Sequence, residues 1–250
     1  MTALNHLLPG AGAHQPPLIN AVYALPDTAV SSAAGTEIYY LITRQTQQTS
    51  LQDPRGNSHH NTPSTGITRP LSGMDIERLN KHNWARYRDQ ILAIEKNAYE
   101  AARRDEPRTL ERIACNPAGV SLVATEGDQV TGFCLAGPLE DFSHVHGPNT
   151  DPTLSSRTTL YSADTCVASQ WRGRGLGRQL KLAQLVQAAG AGYRIVSGRN
   201  RAGLAHAMWV LNRSLGARAL HLIENDYADS LEPNLCIYYH ITLPVPDEGQ

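Results

Sequence analysis

The sequence has few aromatic residues, few cysteines, no surplus of charge of one sign and no long hydrophobic run. Aromatic residues make up 6% of the 250 residues, which argues against a stacking surface for single-stranded nucleic acid. The formal net charge of −1 gives no basic field for nucleic acid or for an acidic membrane surface. The apolar runs fall well short of the about 18 residues that a membrane-spanning helix needs. We therefore expect neither a nucleic-acid partner nor a membrane partner.

The cysteines and the N-terminus predict a cytoplasmic protein. The N-terminus lacks the basic start and the long apolar stretch of a signal peptide. The dispersed cysteines form no C-x-x-C pair, and we interpret them as reduced, small hydrophobic residues rather than as a zinc finger or a disulfide framework. These residues are Cys115, Cys134, Cys166 and Cys236.

The composition of the chain changes near residue 65. Residues 1–65 are rich in Pro, Gly, Ser, Thr, Asn and Gln, with one strand-like segment at residues 37–43. Residues 45–66 hold almost no hydrophobic side chain, so burial cannot offset the entropy of ordering them, and a flexible linker is expected. The predicted division is an N-terminal extension at 1–65, a folded domain at 66–245 and a tail at 246–250.

Hydrophobic periodicity beyond residue 66 predicts alternating strands and helices. The predicted elements, in chain order, are a strand at 67–71, helices at 74–102 and 109–115, a strand hairpin at 120–125 and 130–136, a strand at 158–167, a helix at 176–189, a strand at 193–197, a helix at 203–215, and strands at 219–223 and 235–243. This order is typical of an α/β (α+β) fold in which helices pack on the faces of a mixed sheet.

A glycine-rich turn before the helix at 176–189 is the clearest candidate ligand site. Glycines at the alternate positions 173, 175 and 177 leave successive backbone N–H groups unobstructed. The start of the helix adds free N–H groups and a positive dipole end, and three nearby arginines add positive charge, which together suit a pyrophosphate. The glycine spacing differs from the dinucleotide pattern G-x-G-x-x-G, and no P-loop sequence is present. A basic connection without a ligand is the alternative interpretation.

The turn carries a family resemblance. The segment Arg172-Gly173-Arg174-Gly175-Leu176-Gly177, followed by Arg178, resembles the acyl-CoA-binding motif Q/R-x-x-G-x-G/A of the GNAT acetyltransferase superfamily. Asp164 and Val167 stand at that family's usual distances before the motif. Residues 208–217 are similar to its fourth helix, often M-x-x-x-N-x-x-L-G-F, and residues 67–71 with Asp75 are similar to its opening strand. The resemblance spans roughly residues 66–243.

The resemblance implies a mixed, mostly antiparallel central sheet with helices on both faces and a splayed pair of strands that forms the acyl-CoA cleft. It implies that acetyl-CoA is the acyl donor, with its pantetheine arm on the backbone of Cys166 and Val167 and its pyrophosphate on residues 174–177. Asn200 and Asn212 are implied as pantetheine contacts, and a turn or capping role is the alternative for Asn200. No metal is expected, because the histidine pairs at 59–60 and 144/146 lack further ligands at a recognised spacing.

The implied activity is transfer of an acetyl group to a primary amine, on a small molecule or a peptide, by direct attack on the thioester. Such attack needs a base, for which Asp164 is the first candidate and Glu95 the second; solvent-exposed carboxylates are the alternative for both. Asn212 stands where many family members carry a proton-donating tyrosine, so Tyr227 or a water would be the general acid. A backbone N–H near Val167 would stabilise the oxyanion.

Three further points stay open in the sequence. A longer acyl chain is one alternative substrate, and a catalytically silent acyl-CoA-binding or scaffold domain is the alternative from another functional class. In such folds the acceptor is selected by the first two helices and the last hairpin loop, here residues 82–116 and 224–234. A homodimer is compatible with the sequence but is not required by it.

The composition boundary generates a truncation test. A chain that starts near Pro63 should remain soluble and should bind acetyl-CoA as the full chain does, because the polar residues 45–66 add little to a hydrophobic core. Calorimetric titration and thermal unfolding measure both properties. Loss of solubility or of thermal stability would place residues 37–43 in the folded domain instead.

Overall fold

The computed structural model describes residues 73–227, 229 and 231–244. The predicted strand at 67–71, the extension at 1–65 and the tail at 246–250 lie outside the described residues. Within the described part of the chain, no helix is both long enough and apolar enough to cross a membrane.

The described residues form one mixed sheet in the strand order β1-β2-β3-β4-β5-β7-β6. The strands are β1 (Met74–Arg78), β2 (Leu122–Glu126), β3 (Gln129–Pro138), β4 (Thr159–Val167), β5 (Ile195–Arg201), β6 (Arg218–Glu224) and β7 (Leu235–Thr242). Neighbouring strands are antiparallel except for β4 and β5, which are parallel. The mostly antiparallel sheet expected from the resemblance is therefore confirmed.

Helices cover both faces of this sheet. They are α1 (Trp84–Ala98), α2 (Pro107–Ala114), α3 (Leu176–Gly190) and α4 (His206–Ser214). Side chains alternate along a strand, so β3 sends Phe133 into the cluster under α1 and α2, and Cys134 into the cluster under α3 and α4. Both faces are apolar, which explains why β2 and β3 are nearly continuous hydrophobic runs.

The predicted helix at 74–102 was wrong over residues 74–83, which hold β1 and a turn. Met74 and Ile76 are partly buried against the α3-side cluster, whereas Asp75 is exposed, so the segment alternates as an edge strand does. Asn83 then accepts a hydrogen bond from the Asn80 N–H at 2.8 Å, and the helix begins at the next residue. The other predicted elements in the described range are confirmed, with ends displaced by a few residues.

The two parallel strands part after a short contact. Residues 159–162 of β4 pair with residues 195–198 of β5, and no pairing follows although β4 continues to Val167 and β5 to Arg201. The pairing of β4 with β3 shifts register at Ala163, so a bulge lies at the point of divergence. The splayed pair of strands implied by the resemblance is therefore present.

A buried carboxylate fastens the loop between β3 and β4 to strand β7. The Tyr238 hydroxyl donates to Asp151 Oδ2 at 2.5 Å, and His240 Nε2 lies 2.6 Å from the same oxygen. Burial by itself raises the pKa of Asp151, but hydrogen bonds from His240, Thr153 and Tyr238 outweigh it and hold this pKa well below its usual range. The loop that carries Phe142 and Val145 is thereby held against the sheet.

This contact predicts a large loss of stability in Asp151→Ala. The substitution leaves the Tyr238 hydroxyl buried without its acceptor, and a buried polar group that loses its hydrogen-bond partner costs about 1–3 kcal/mol. Denaturant unfolding at pH 7 measures the change. The matched control is Asp128→Ala, which removes a fully exposed pair with Arg86 and should leave the unfolding curve nearly unchanged. Equal curves for both variants would contradict the prediction.

Candidate active site

The splay between β4 and β5 opens into a cavity of about 370 Å³. Its walls come from the diverging strands, from the connection between α1 and α2, from α4 and from the loop after β6. Four of the residues singled out in the sequence line it together, namely Asp164, Asn200, Asn212 and Tyr227. The strand divergence therefore creates a space that brings these polar groups together.

The open edge of β4 presents backbone groups to this cleft. The Ala168 N–H donates to the Thr131 carbonyl on β3 at 3.0 Å. Because hydrogen-bonding positions alternate along an antiparallel strand, the backbone groups of Thr165 and Val167 face the vacated β5 side, and those of Cys166 face β3. The geometry thus directs the Val167 backbone toward the cleft but turns the Cys166 backbone away, and Thr165 is a backbone position that the sequence did not reveal.

The glycine-rich turn has the backbone shape that its sequence predicts. Gly173 has φ +74° and Gly175, the residue before α3, has φ +84°, a region that other residues rarely adopt. No atom lies within 4 Å of the position where a Cβ would stand on either glycine, and no backbone hydrogen bond among the described residues uses the N–H groups of residues 173–177, which leaves this helix start open to a ligand. Gly177 has room for a methyl group, which agrees with the G/A alternative of the motif.

The arginines of the turn differ in what they contact. Arg172 Nε donates to the Val167 carbonyl at 3.0 Å, and Arg178 donates to Ser214 Oγ at 3.1 Å. These two side chains therefore tie the turn to β4 and to α4. Arg174 is exposed and lies over the Trp171 ring at 4.8 Å. Positive charge consequently surrounds the start of α3, where the N–H groups are open.

Asn200 and Asn212 form a buried amide pair across β5 and α4. Asn212 Nδ2 donates to Asn200 Oδ1 at 2.9 Å, and Asn212 is 1% exposed. Within the part of the chain that the structure describes, Asn212 Oδ1 has no hydrogen-bond partner. A buried acceptor without a donor is unfavourable, so this oxygen fits an amide N–H of a ligand such as pantetheine. Asn200 lies inside β5, which makes the turn or capping alternative wrong.

Asp164 is a buried carboxylate on the wall of the cavity. The Tyr99 hydroxyl donates to Asp164 Oδ1 at 2.7 Å, and Cys166 Sγ lies 3.4 Å from the same oxygen. Burial raises the pKa of Asp164 to about 6, and the bonds from Tyr99 and Cys166 offset part of that effect. The alternative of a solvated strand end is wrong. A carboxylate with this pKa can accept a proton near neutral pH.

Glu95 is also buried, which makes its interpretation as part of a solvated helix face wrong. Its carboxylate accepts the Asp105 N–H at 2.9 Å, and burial raises its pKa. Glu95 does not line the cavity, although Asp105 does. The described contacts therefore give Glu95 the role of holding the connection between α1 and α2 in place.

Tyr227 lines the cavity, and three arginine side chains surround its ring. The guanidinium carbons of Arg201, Arg103 and Arg199 lie 4.9, 5.1 and 5.6 Å from the centre of its ring. Burial raises the pKa of Tyr227, so the phenol keeps its proton at neutral pH.

Lys181 is a site residue that the sequence analysis missed. It is 1% exposed on α3, and its Nζ donates to Ser162 Oγ at 2.5 Å and to Gln184 Oε1 at 3.2 Å. Burial lowers its pKa to about 8. The available signal was a charged residue between Leu180 and Leu182, inside the apolar stripe of a helix.

Two other groups of site residues also escaped the sequence analysis. Arg199 and Arg201 continue the strand pattern that was predicted to end at residue 197, and their alternation with Asn200 was the available signal. Tyr99 and Arg103 lie just after α1, where no periodic pattern constrains their direction. Their role becomes visible only when that connection is placed against β4.

Comparison with known proteins gives a family match for the same region. A family model described as the acetyltransferase (GNAT) family matches residues 83–210, just over half of the chain. No curated protein matches the chain.

Solved structures share the fold at low sequence identity. The ribosomal-protein-S18-alanine N-acetyltransferase of Escherichia coli superposes with a TM-score of 0.54 at 16% identity, covering 71% of this chain and 98% of that one. An N-acetyltransferase of Staphylococcus aureus Mu50 gives 0.53 at 19% identity, covering 69% and 100%. An acetyltransferase structure from Salmonella typhimurium, solved with its cofactor acetyl-CoA, gives 0.52 at 19% identity, covering 72% and 99%. This chain thus spans nearly the whole length of these structures.

The geometry of the turn predicts that Gly175→Asp abolishes acetyl-CoA binding. The substitution strains a residue at φ +84° and places a negative charge at the helix start that we expect to hold the pyrophosphate. Gly175→Asn is the matched control for the negative charge. Asn and Asp tolerate this φ similarly, so a difference in affinity between the two variants reports the effect of the charge. We expect Asp to weaken binding at least tenfold more than Asn in calorimetric titrations.

Gly192→Asp is the control for strain alone, since Gly192 has φ +90° at the opposite end of α3. It should retain wild-type affinity for acetyl-CoA. Equal affinity in Gly175→Asp and the wild type would contradict the prediction.

Proposed function

We propose that this chain, which belongs to the acetyltransferase (GNAT) family, transfers the acetyl group of acetyl-CoA to a primary amine. The observation that carries the proposal is the buried Asp164 carboxylate, which lines a cavity beside the open edge of β4. A base of pKa about 6 at this position suits an amine that must lose a proton as it attacks the thioester.

The donor would be held by groups on the α3 and α4 side of the sheet. The open N–H groups after Gly173 and Gly175 would bind the pyrophosphate, with Arg174 beside them. The Val167 backbone and the unpartnered Asn212 Oδ1 would bind the amides of pantetheine. Acetyl-CoA supplies the activated acetyl group, and the chain supplies its orientation.

The acceptor amine would enter from the α1 and α2 side, where Tyr99 orients Asp164. Asp164, directly or through a water, accepts the amine proton as the nitrogen–carbon bond forms, and the carbon–sulfur bond then breaks. The departing thiolate takes a proton from Tyr227 or from a water, because Asn212 has no acidic proton to give. A backbone N–H of β4 near Val167 would stabilise the negative oxygen.

Two alternatives are separated by one assay. Transfer of a longer acyl chain would give higher turnover with butanoyl-CoA or octanoyl-CoA than with acetyl-CoA. A silent acyl-CoA-binding domain, which the missing tyrosine favours, would bind acetyl-CoA by calorimetry and release no free thiol with any amine. Thiol detection over a panel of amines measures the release of free CoA. Release that depends on an amine supports the proposal that the chain is an enzyme.

Asp164 generates the first kinetic prediction. If it is the base, kcat/KM should rise through a limb near pH 6, because the carboxyl must lose its proton before it can accept one. Asp164→Asn should remove this limb and lower turnover about 10²-fold, with acetyl-CoA affinity unchanged. A variant that raises KM for the amine at constant kcat would show that Asp164 anchors the amine instead.

The contact of Tyr99 with Asp164 generates the second kinetic prediction. The Tyr99 hydrogen bond to Asp164 favours the carboxylate, so Tyr99→Phe should raise the pKa of Asp164 and move the limb to higher pH. The matched control is Tyr193→Phe, whose hydroxyl donates to the Ala118 carbonyl away from the cavity. Profiles that coincide for the two variants would contradict the role of Asp164.

A further inference from the structure

One wall of the cavity carries three arginine side chains close together. Guanidinium groups of Arg103, Arg199 and Arg201 surround the single ring of Tyr227, each within cation–π distance. Like charges at such spacing repel one another unless anions stand between them. The carboxylates around this wall therefore decide what the site can bind.

Two of these three arginines each form an ion pair with an aspartate. Arg201 forms a two-pronged pair with Asp229 at 2.5 and 2.7 Å, and Arg199 donates to Asp226 at 2.6 Å. The side chains of both acids are nearly buried, and besides these pairs Asp226 contacts His146 and Asp229 accepts the Leu231 N–H. The repulsion between Arg199 and Arg201 is thus compensated within the protein.

Arg103 is the arginine of this wall that no carboxylate of the described residues contacts directly, although the charge of Asp229, already paired with Arg201, acts on it from farther away. No carboxylate of the described part lies within 4 Å of it, and its buried Nε has no hydrogen-bond partner there. Its guanidinium carbon lies over the rings of both Tyr99 and Tyr227, 5.3 and 5.1 Å from their centres. A guanidinium fixed in this way is prepared to bind a carboxylate or a phosphate.

Arg103 also stands at a defined place relative to the base. Tyr99 separates the two groups, with Arg103 against its ring and Asp164 bonded to its hydroxyl. An anion at Arg103 is therefore kept away from the negative Asp164 by about the length of one tyrosine side chain. The other charged groups on this side are Asp105, Arg104 and Arg112, which leave the wall net positive.

We propose that the acceptor is a small amine that also carries an anionic group, a carboxylate or a phosphate, and that Arg103 binds this group. This inference rests on the proposed function, because Asp164 marks the end of the cavity where the amine reacts. The length of one tyrosine side chain between the two ends implies an acceptor with a few bonds between its amine and its anion.

Matched acceptors test the proposal on the wild-type protein. The series runs from glycine to 6-aminohexanoate with the corresponding amides, and 2-aminoethyl phosphate with 2-aminoethanol, each with acetyl-CoA and thiol detection. We expect at least one anionic acceptor to exceed its neutral counterpart tenfold in kcat/KM. The difference should lie in KM, because the contact binds the substrate and its transition state alike. Comparison per neutral amine corrects for the higher amine pKa of the acids.

Arg103→Gln should bring this ratio close to one. The matched control is Arg108→Gln, which removes an exposed arginine of α2 that does not line the cavity and should leave the ratio as in the wild type. Circular dichroism and acetyl-CoA affinity report whether each variant folds. Equal kcat/KM for acids and amides in the wild type overturns the proposal, whatever the variants do.

Calorimetry separates failure of this inference from failure of the proposed function. If no amine releases CoA, the transferase proposal fails, and binding of 4-aminobutanoate and 4-aminobutanamide to the CoA-bound protein is compared instead. Tighter binding of the acid, lost in Arg103→Gln, supports an anion site in a protein that does not turn over. Equal or absent binding of the two compounds overturns the anion site as well.

Discussion

The divergence of β4 from β5 is the constraint on which the site depends. A parallel pair that ends at Ser162 leaves the later backbone groups of β4 that face β5 without strand partners, and unpaired backbone groups inside a protein are costly. Side-chain hydrogen bonds form next to this divergence, with Lys181 bonded to the Ser162 hydroxyl on the α3 side and Tyr99 bonded to the Asp164 carboxylate on the other. The open backbone edge and these polar side chains therefore lie beside the same cavity.

Burial shifts the pKa values of the two charged groups beside this divergence in opposite directions. It raises the pKa of Asp164 to about 6 and lowers that of Lys181 to about 8, because each charged form is poorly solvated there. Each group therefore has its neutral form within reach of neutral pH, which ordinary surface residues of these types do not. Such perturbed values in a cavity are typical of functional sites, and here they accompany an open strand edge and an orphaned amide oxygen on Asn212.

The sequence predicted those features whose cause is local. The turn at residues 172–178, the β2–β3 hairpin and the helices α3 and α4 follow from glycine positions and from apolar periodicity within one segment. β1 was missed because five residues at a sheet edge carry too little alternation to stand out beside a helix. The contact of Tyr99 with Asp164 joins residues 65 positions apart, and the burial of Glu95 depends on the path of the α1–α2 connection; neither leaves a periodic signal.

The same distinction separates the two sides of the cleft that we propose for the donor and the acceptor. The turn proposed to bind the pyrophosphate is built from consecutive residues, so its motif can persist in one short segment. The cationic wall combines Arg103 from the α1–α2 connection, Tyr227 from the loop after β6, and Arg199 from the end of β5, which pairs with β7 but no longer with β4. Loops tolerate substitution better than packed strands, so the wall can change its charge while the splay and the turn persist. Under the proposed function, a change of acceptor therefore requires no change in the groups that we expect to hold the donor, and we expect the charge around Tyr227 to be the property that most directly selects the acceptor.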